Sequence, residues 1–262
     1  MTVTAAPARD IARITRERGL EVCAAELDAF LALVRDLDEP DWSKPTDCTG
    51  WTVHDVVAHV LGQCEGATSL RAFFRRHRVG HRRYPERSRL DAMTRQQVDD
   101  LGRHSPAVLI NRLATFGPKA LRVIRRMPSF VRRIDITRFF PEDPVPDPTP
   151  GYLFDVIAAR DTWMHRVDIA VATGRTLVHG PHDRDIVAQV VRELHAAWTG
   201  PPVTLELTGP AGGTWTIGTG SPTATVRVDT VDYLRTLSGR NDHPTMEVEG
   251  DAGPITAARV VF

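Results

Sequence analysis

Lysine is almost missing from this chain: Lys44 and Lys119 are the only two, and arginine carries nearly all of its positive charge. Cysteine is sparse as well. Cys23, Cys48 and Cys64 form an odd set with no CxxC spacing, which argues against a disulfide framework and a thiolate zinc knuckle. Each is read as a small buried hydrophobe, with Cys48 standing just ahead of a helix start, near the mouth of the candidate site described below. No apolar run approaches the roughly 20 residues needed to cross a bilayer, and Met1 to Asp10 lacks the charged and apolar regions of a signal peptide. A cytoplasmic protein with no membrane partner is therefore expected. The 42% hydrophobic and 25% charged composition is that of an ordinary globular chain.

Net formal charge is zero, but it is unevenly spread. Residues 71–138 hold 18 Lys/Arg against 5 Asp/Glu. Such a block can meet a nucleic acid or an acidic membrane surface. It lacks the aromatic interleaving of single-strand binders, so solvated arginine faces are expected and a nucleic-acid partner is not. Oligomeric state is left open.

The hydrophobic spacing predicts a long amphipathic helix over Ile11–Leu37, with Ile14, Val22, Ala25, Leu27, Leu31 and Val34 turned inward. Thr52-x-x-Asp55 has capping-box form and predicts a second helix from Thr52 to about Arg75. Arg76–Arg103 reads as an irregular, partly helical insertion. Ser105-Pro106 opens a third helix to about Arg126. Met127–Gly151, with Pro128, Pro141, Pro144, Pro146, Pro148 and Pro150, reads as an extended connector. A fourth helix covers Tyr152–Thr173 and ends at Gly174. Beyond it the pattern changes: a helix over Asp183–Trp198, then short alternating runs at 203–208, 214–217 and 224–228 between glycine turns. A short helix over Asp229–Leu237, a strand at Met246–Glu249 and a last helix over Gly253–Val261 follow. The fold class is α+β: a helical bundle over residues 1–178, containing the basic segment 71–138, and a smaller α+β domain over 179–262.

Asp161 and His165 are four residues apart and share one face of the fourth helix, beside Phe154, Ile157, Ala158, Ile169 and Ala172. An ionised carboxylate in such company is costly unless it is paired or binds a metal. His59, on the second helix beside Val56 and Val60, is the natural third ligand. His54 lies in the first turn and is expected to be exposed. Histidine and carboxylate suit zinc and related divalent ions, and three protein ligands leave a position open for chemistry. Asp55 and Asp168 are candidates to orient the second ring nitrogens of His59 and His165, and Trp51 is read as packing the helix start. The competing reading is an ordinary Asp–His ion pair beside a satisfied core histidine.

Gly50-Trp51-Thr52-Val53-His54-Asp55-Val56-Val57-Ala58-His59 resembles the signature of the mycothiol-dependent maleylpyruvate isomerase family, a branch of the DinB-like metal-binding four-helix bundles. Arg160-Asp161 through His165-Arg166-Val167-Asp168-Ile169-Ala170, with Gly174-Arg175, is a second match. Gly209-Pro210-Ala211-Gly212-Gly213-Thr214-Trp215, Leu237-Ser238-Gly239-Arg240 and Val248-Glu249-Gly250-Asp251 resemble the family's small C-terminal domain, which is similar to sterol-carrier folds. The resemblance implies that His59, Asp161 and His165 are ligands of a divalent metal, most simply zinc. Relatives typically carry glutamate where Asp161 stands. It further implies a low-molecular-weight thiol cosubstrate, mycothiol, acting on a small, anionic substrate by isomerisation or S-transfer. Arg240, in the Ser-Gly-Arg motif, is the candidate for holding that anion, against a plain surface role at a helix end. The rival expectations are a metal-binding protein without catalysis and a carrier of hydrophobic ligands.

Overall fold

The computed structural model describes residues 5–143 and 145–262; Met1–Thr4 and Pro144, one of the connector prolines, lie outside them. Two compact units emerge: Arg16–Val178, and His179–Phe262 joined by residues 5–15. A helical unit and a small mixed sheet follow one another along the chain, which makes the fold class α+β. Among the described residues no helix is long and apolar enough to cross a membrane.

In the helical unit, α1 (Arg16–Arg35), α2 (Val53–Thr68), α3 (Leu70–Arg83), α4 (Arg89–Leu101) and α5 (Pro106–Arg126) precede two short turns, α6 (Ser129–Arg132) and α7 (Pro150–Tyr152). A π-helical turn, Leu153–Ile157, then leads into α8 (Ala158–Thr173), which ends at Gly174 with φ 71°. Helices α1, α2, α5 and α8 enclose a core of Phe30, Val34, Val57, Leu61, Leu109, Leu113 and Ile169. Burying each such side chain is worth about 1.5–3 kcal/mol. Cys23 and Cys64 are buried too, and burial pushes both thiols up to about 12, the behaviour of inert core residues.

Several elements differ from the sequence expectation. The first helix starts at Arg16 rather than Ile11, and the second stops at Thr68, where extended Ser69 (φ −146°) interrupts it and caps α3 by accepting from Ala72 N. The segment expected to be irregular is instead the hairpin of α3 and α4. Most arginines of α3 are exposed, as expected, but Arg76 is buried on Glu65 and Asp100, and the exposed Arg75 and Arg83 also meet Asp100 and Asp99. Gly80 makes the close crossing possible, since a Cβ there would stand 2.4 Å from Ala92 O. Gly253–Val261, expected to be helical, forms only turns.

The other unit is built on a five-stranded sheet in the order β1-β3-β2-β4-β5, with β1 Ala6–Pro7, β2 Val203–Thr208, β3 Gly213–Ile217, β4 Ala224–Asp229 and β5 Met246–Glu249. β1 runs parallel to β3 and β2 parallel to β4; the other pairs are antiparallel. β2 alternates buried and half-buried residues, with Val203, Leu205 and Leu207 inward. Helices α9 (Asp183–Ala197) and α10 (Thr230–Leu237) complete this unit.

The loop from α1 to α2 is pinned to the end of α8 by charge. Arg175 reaches Asp36, Asp38 and Asp41, and Lys44 reaches Asp41. The hydrogen bonds from Lys44 and Arg175 lower the Asp41 carboxyl to about 2. A carboxyl depressed on folding contributes stability above its ordinary range, and that contribution is lost as pH falls through the folded value. Asp41→Asn should therefore melt below the wild type at pH 6, with the gap closing towards pH 2. Melting curves recorded across that range test this, and a gap independent of pH would contradict it.

Candidate metal centre

The capping box predicted at Thr52 is present: Thr52 Oγ1 accepts from Asp55 N at 3.3 Å, and Asp55 Oδ2 accepts from Thr52 N at 3.0 Å. It starts α2 so that His59 falls on the inward side, 3% exposed. Facing it, α8 is buried from Ala159 to Ala170 except for the half-buried Asp161. His59, Asp161 and His165 come together there. Asp161 Oδ2 lies 3.7 Å from His59 Nε2, and Asp161 Oδ1 lies 3.5 Å from His165 Nε2. One ligand atom from each of the three residues falls within 4.8 Å of the other two. A tetrahedral ion with bonds of about 2.1 Å needs ligand atoms roughly 3.4 Å apart, so the donor set and its spacing fit a divalent cation.

Proton positions follow from the hydrogen bonds. Burial would raise the Asp161 carboxyl, but the charge of His165 and the hydrogen bond from Gln63 outweigh it and hold the group well below the usual range. An ionised carboxylate only accepts, so the Gln63 group 2.8 Å from Asp161 Oδ2 is its NH2. The same nitrogen is 2.9 Å from His59 Nε2, which must then carry the lone pair. His59 Nδ1–H in turn donates to Gln97 Oε1 on α4, at 2.8 Å. His165 is arranged alike, with Nδ1 donating to Asp168 Oδ2 at 3.1 Å and Nε2 turned to Asp161. Burial would lower the His165 imidazole; the carboxylates of Asp161 and Asp168, with Cys48, outweigh it and raise it well above its ordinary value. Both rings thus present Nε2 to one point, each oriented by an acceptor behind it.

Asp168 has the orienting place expected of it, but Asp55 does not: its carboxylate is used in the helix cap, and Gln97 stands behind His59 instead. Gly62 permits this, because a Cβ there would meet Gln97 Cβ at 2.7 Å. Trp51 does more than pack the helix start, lying against the rings of His59 (5.1 Å between centroids) and His165 (6.3 Å). Cys48 is beside the site, its thiol donating to Asp168 Oδ2 at 3.3 Å. His54 is half-buried rather than exposed, and its Nε2 bonds to His104 O. Arg240 belongs to the other unit, where its backbone N–H bonds to Arg235 O beyond the end of α10. Gln63 and Gln97 were not identified from sequence. Gln63 is four residues after His59, so helical spacing placed it within reach; nothing in the chain pointed to Gln97.

Residues 23–170 match the family model of the mycothiol maleylpyruvate isomerase N-terminal domain, and residues 181–255 that of the MDMPI C-terminal domain. No curated protein matches the chain. Among solved structures, the crystal structure of the mycothiol-dependent maleylpyruvate isomerase is similar at 15% identity, with 92% of this chain and 95% of that chain covered and a TM-score of 0.58. A histidine-to-alanine mutant of that protein gives 14% identity, the same coverage and a TM-score of 0.59. At such identity the likeness is one of fold.

Gln97→Leu would leave the buried Nδ1–H of His59 without its acceptor. Unfolding in urea should show a loss of about 1–3 kcal/mol, and an unchanged midpoint would show that Gln97 does not orient the ring.

Proposed function

Because the chain belongs to the mycothiol-dependent maleylpyruvate isomerase family, we propose that it is an enzyme that holds a divalent metal, zinc first among them, on His59, Asp161 and His165 and uses a low-molecular-weight thiol, mycothiol, on a small anionic substrate. The observation that carries this reading is the convergence of two imidazole Nε2 atoms and one ionised carboxylate on a single point. When bound, the cation supplies thiolate in place of thiol at neutral pH, for addition and expulsion at an activated double bond or for displacement of a leaving group.

The rest of the work belongs to the chain's own side chains. Gln97 and Asp168 accept from Nδ1 of His59 and His165 and so aim Nε2 of each ring at the ion, which would replace the proton that His165 carries on Nε2. Asp161 stays ionised and brings a negative charge that offsets part of the cation's own. Trp51 covers one side of both rings and limits the approach of water. Aspartate reaches one methylene less far than glutamate, so Asp161 would hold a cation either directly, nearer α8, or through a bridging water. In this reading Arg240 binds the substrate's carboxylate, for which a planar guanidinium is suited.

Metal analysis of the purified protein beside His59→Ala tests the centre. About one equivalent is expected in the wild type and little in the variant; equal trace contents in both would overturn the reading. Turnover of an unsaturated dicarboxylate should then require both the metal and added thiol.

A further inference from the structure

Gln63 lies on α2 one turn beyond His59, and its carboxamide nitrogen donates to His59 Nε2 at 2.9 Å and to Asp161 Oδ2 at 2.8 Å. These two atoms belong to the ligand set assigned above. A carboxylate oxygen has more than one lone pair, but an imidazole nitrogen has a single one. The amide hydrogen and a cation therefore exclude one another at His59. Both hydrogens of one NH2 group are used on the triad, which makes the amide a neutral stand-in for the ion, bonded to a histidine from α2 and a carboxylate from α8. The side chain is half-buried, and the partners described for its NH2 group are these two ligands.

We infer that Gln63 is an internal competitor for the cation. It keeps His59 and Asp161 close to ligand spacing and must turn away before an ion can bind, so it weakens and gates the site. The inference rests on the triad taking a cation at all. Gln63 is thus a positioning residue, not a ligand, and its effect is on metal affinity before any effect on turnover.

Gln63→Ala and Gln63→Leu, first stripped with chelator and checked by circular dichroism, are titrated with zinc against a chromophoric chelator. Removing two hydrogen bonds, one of them to a charged acceptor, should tighten zinc binding about tenfold or more. In the stripped variants the melting temperature should fall, while the rise on adding zinc should exceed that of the wild type. The visible spectrum of the cobalt-loaded protein should be unchanged. Equal or weaker zinc affinity in both variants would overturn the inference, and an altered cobalt spectrum would show that Gln63 is itself a ligand. His59→Ala run in parallel separates the two failures. If it loses zinc while the Gln63 variants do not tighten, only the role of Gln63 falls; if it binds like the wild type, the triad itself is wrong.

Discussion

The bundle's site depends on a buried ion pair at its back. Arg166 on α8 donates from Nε to Glu26 Oε1 at 2.8 Å and from a terminal nitrogen to Glu26 Oε2 at 2.9 Å, with both side chains almost fully enclosed. A third bond from Arg166 reaches Val178 O at 2.6 Å. Such a fork fixes direction as well as distance. Because Arg166 follows His165 directly, pinning it to α1 sets the rotation of α8 about its own axis. That rotation turns Asp161, His165 and Asp168 towards α2. Breaking a buried pair of this kind typically costs about 3–5 kcal/mol, since the remaining charge is stranded.

Across the site, a single charge orders a chain of protons. Ionised Asp161 selects the NH2 end of Gln63, which selects the lone pair on His59 Nε2, which sends the other proton to Gln97. The chain passes from α8 through α2 to α4, so the hairpin that carries Gln97 is part of the site although it supplies no ligand. Gly62 and Gly80 have one function here: each removes a Cβ where α4 comes close.

Much of this arrangement was legible in the sequence. The Asp161–His165 spacing, the Thr52–Asp55 cap and Gly174 are local features, set within a turn or two of helix, and each stands where the pattern placed it. What was illegible depended on distant partners. The burial of Arg76 among the solvent-facing arginines of α3 was illegible because its partners Glu65 and Asp100 belong to other helices. α8 shows little amphipathic character because it is buried on nearly every side and its polar residues pair within the helix, as His165 with Asp168, or with a neighbour, as Arg166 with Glu26 of α1. Asp55 was assigned to His59 on spacing alone, and a helix cap had the stronger claim on its carboxylate. Gln97 could not be found, because glutamine carries no chemical signature until its neighbour is known.

The pairing of Ala6 with Trp215 and of Pro7 with Thr216 sets an order in time. β1 leaves the ribosome more than two hundred residues ahead of the strand it lies against. Synthesis at about 5–20 residues per second leaves it waiting for ten seconds or more, while every helix of Arg16–Val178 is already available to fold. The sheet therefore closes late, around a strand made well before its partners. Its two-residue edge strand, half of it proline, offers little to a wrong partner in the interval.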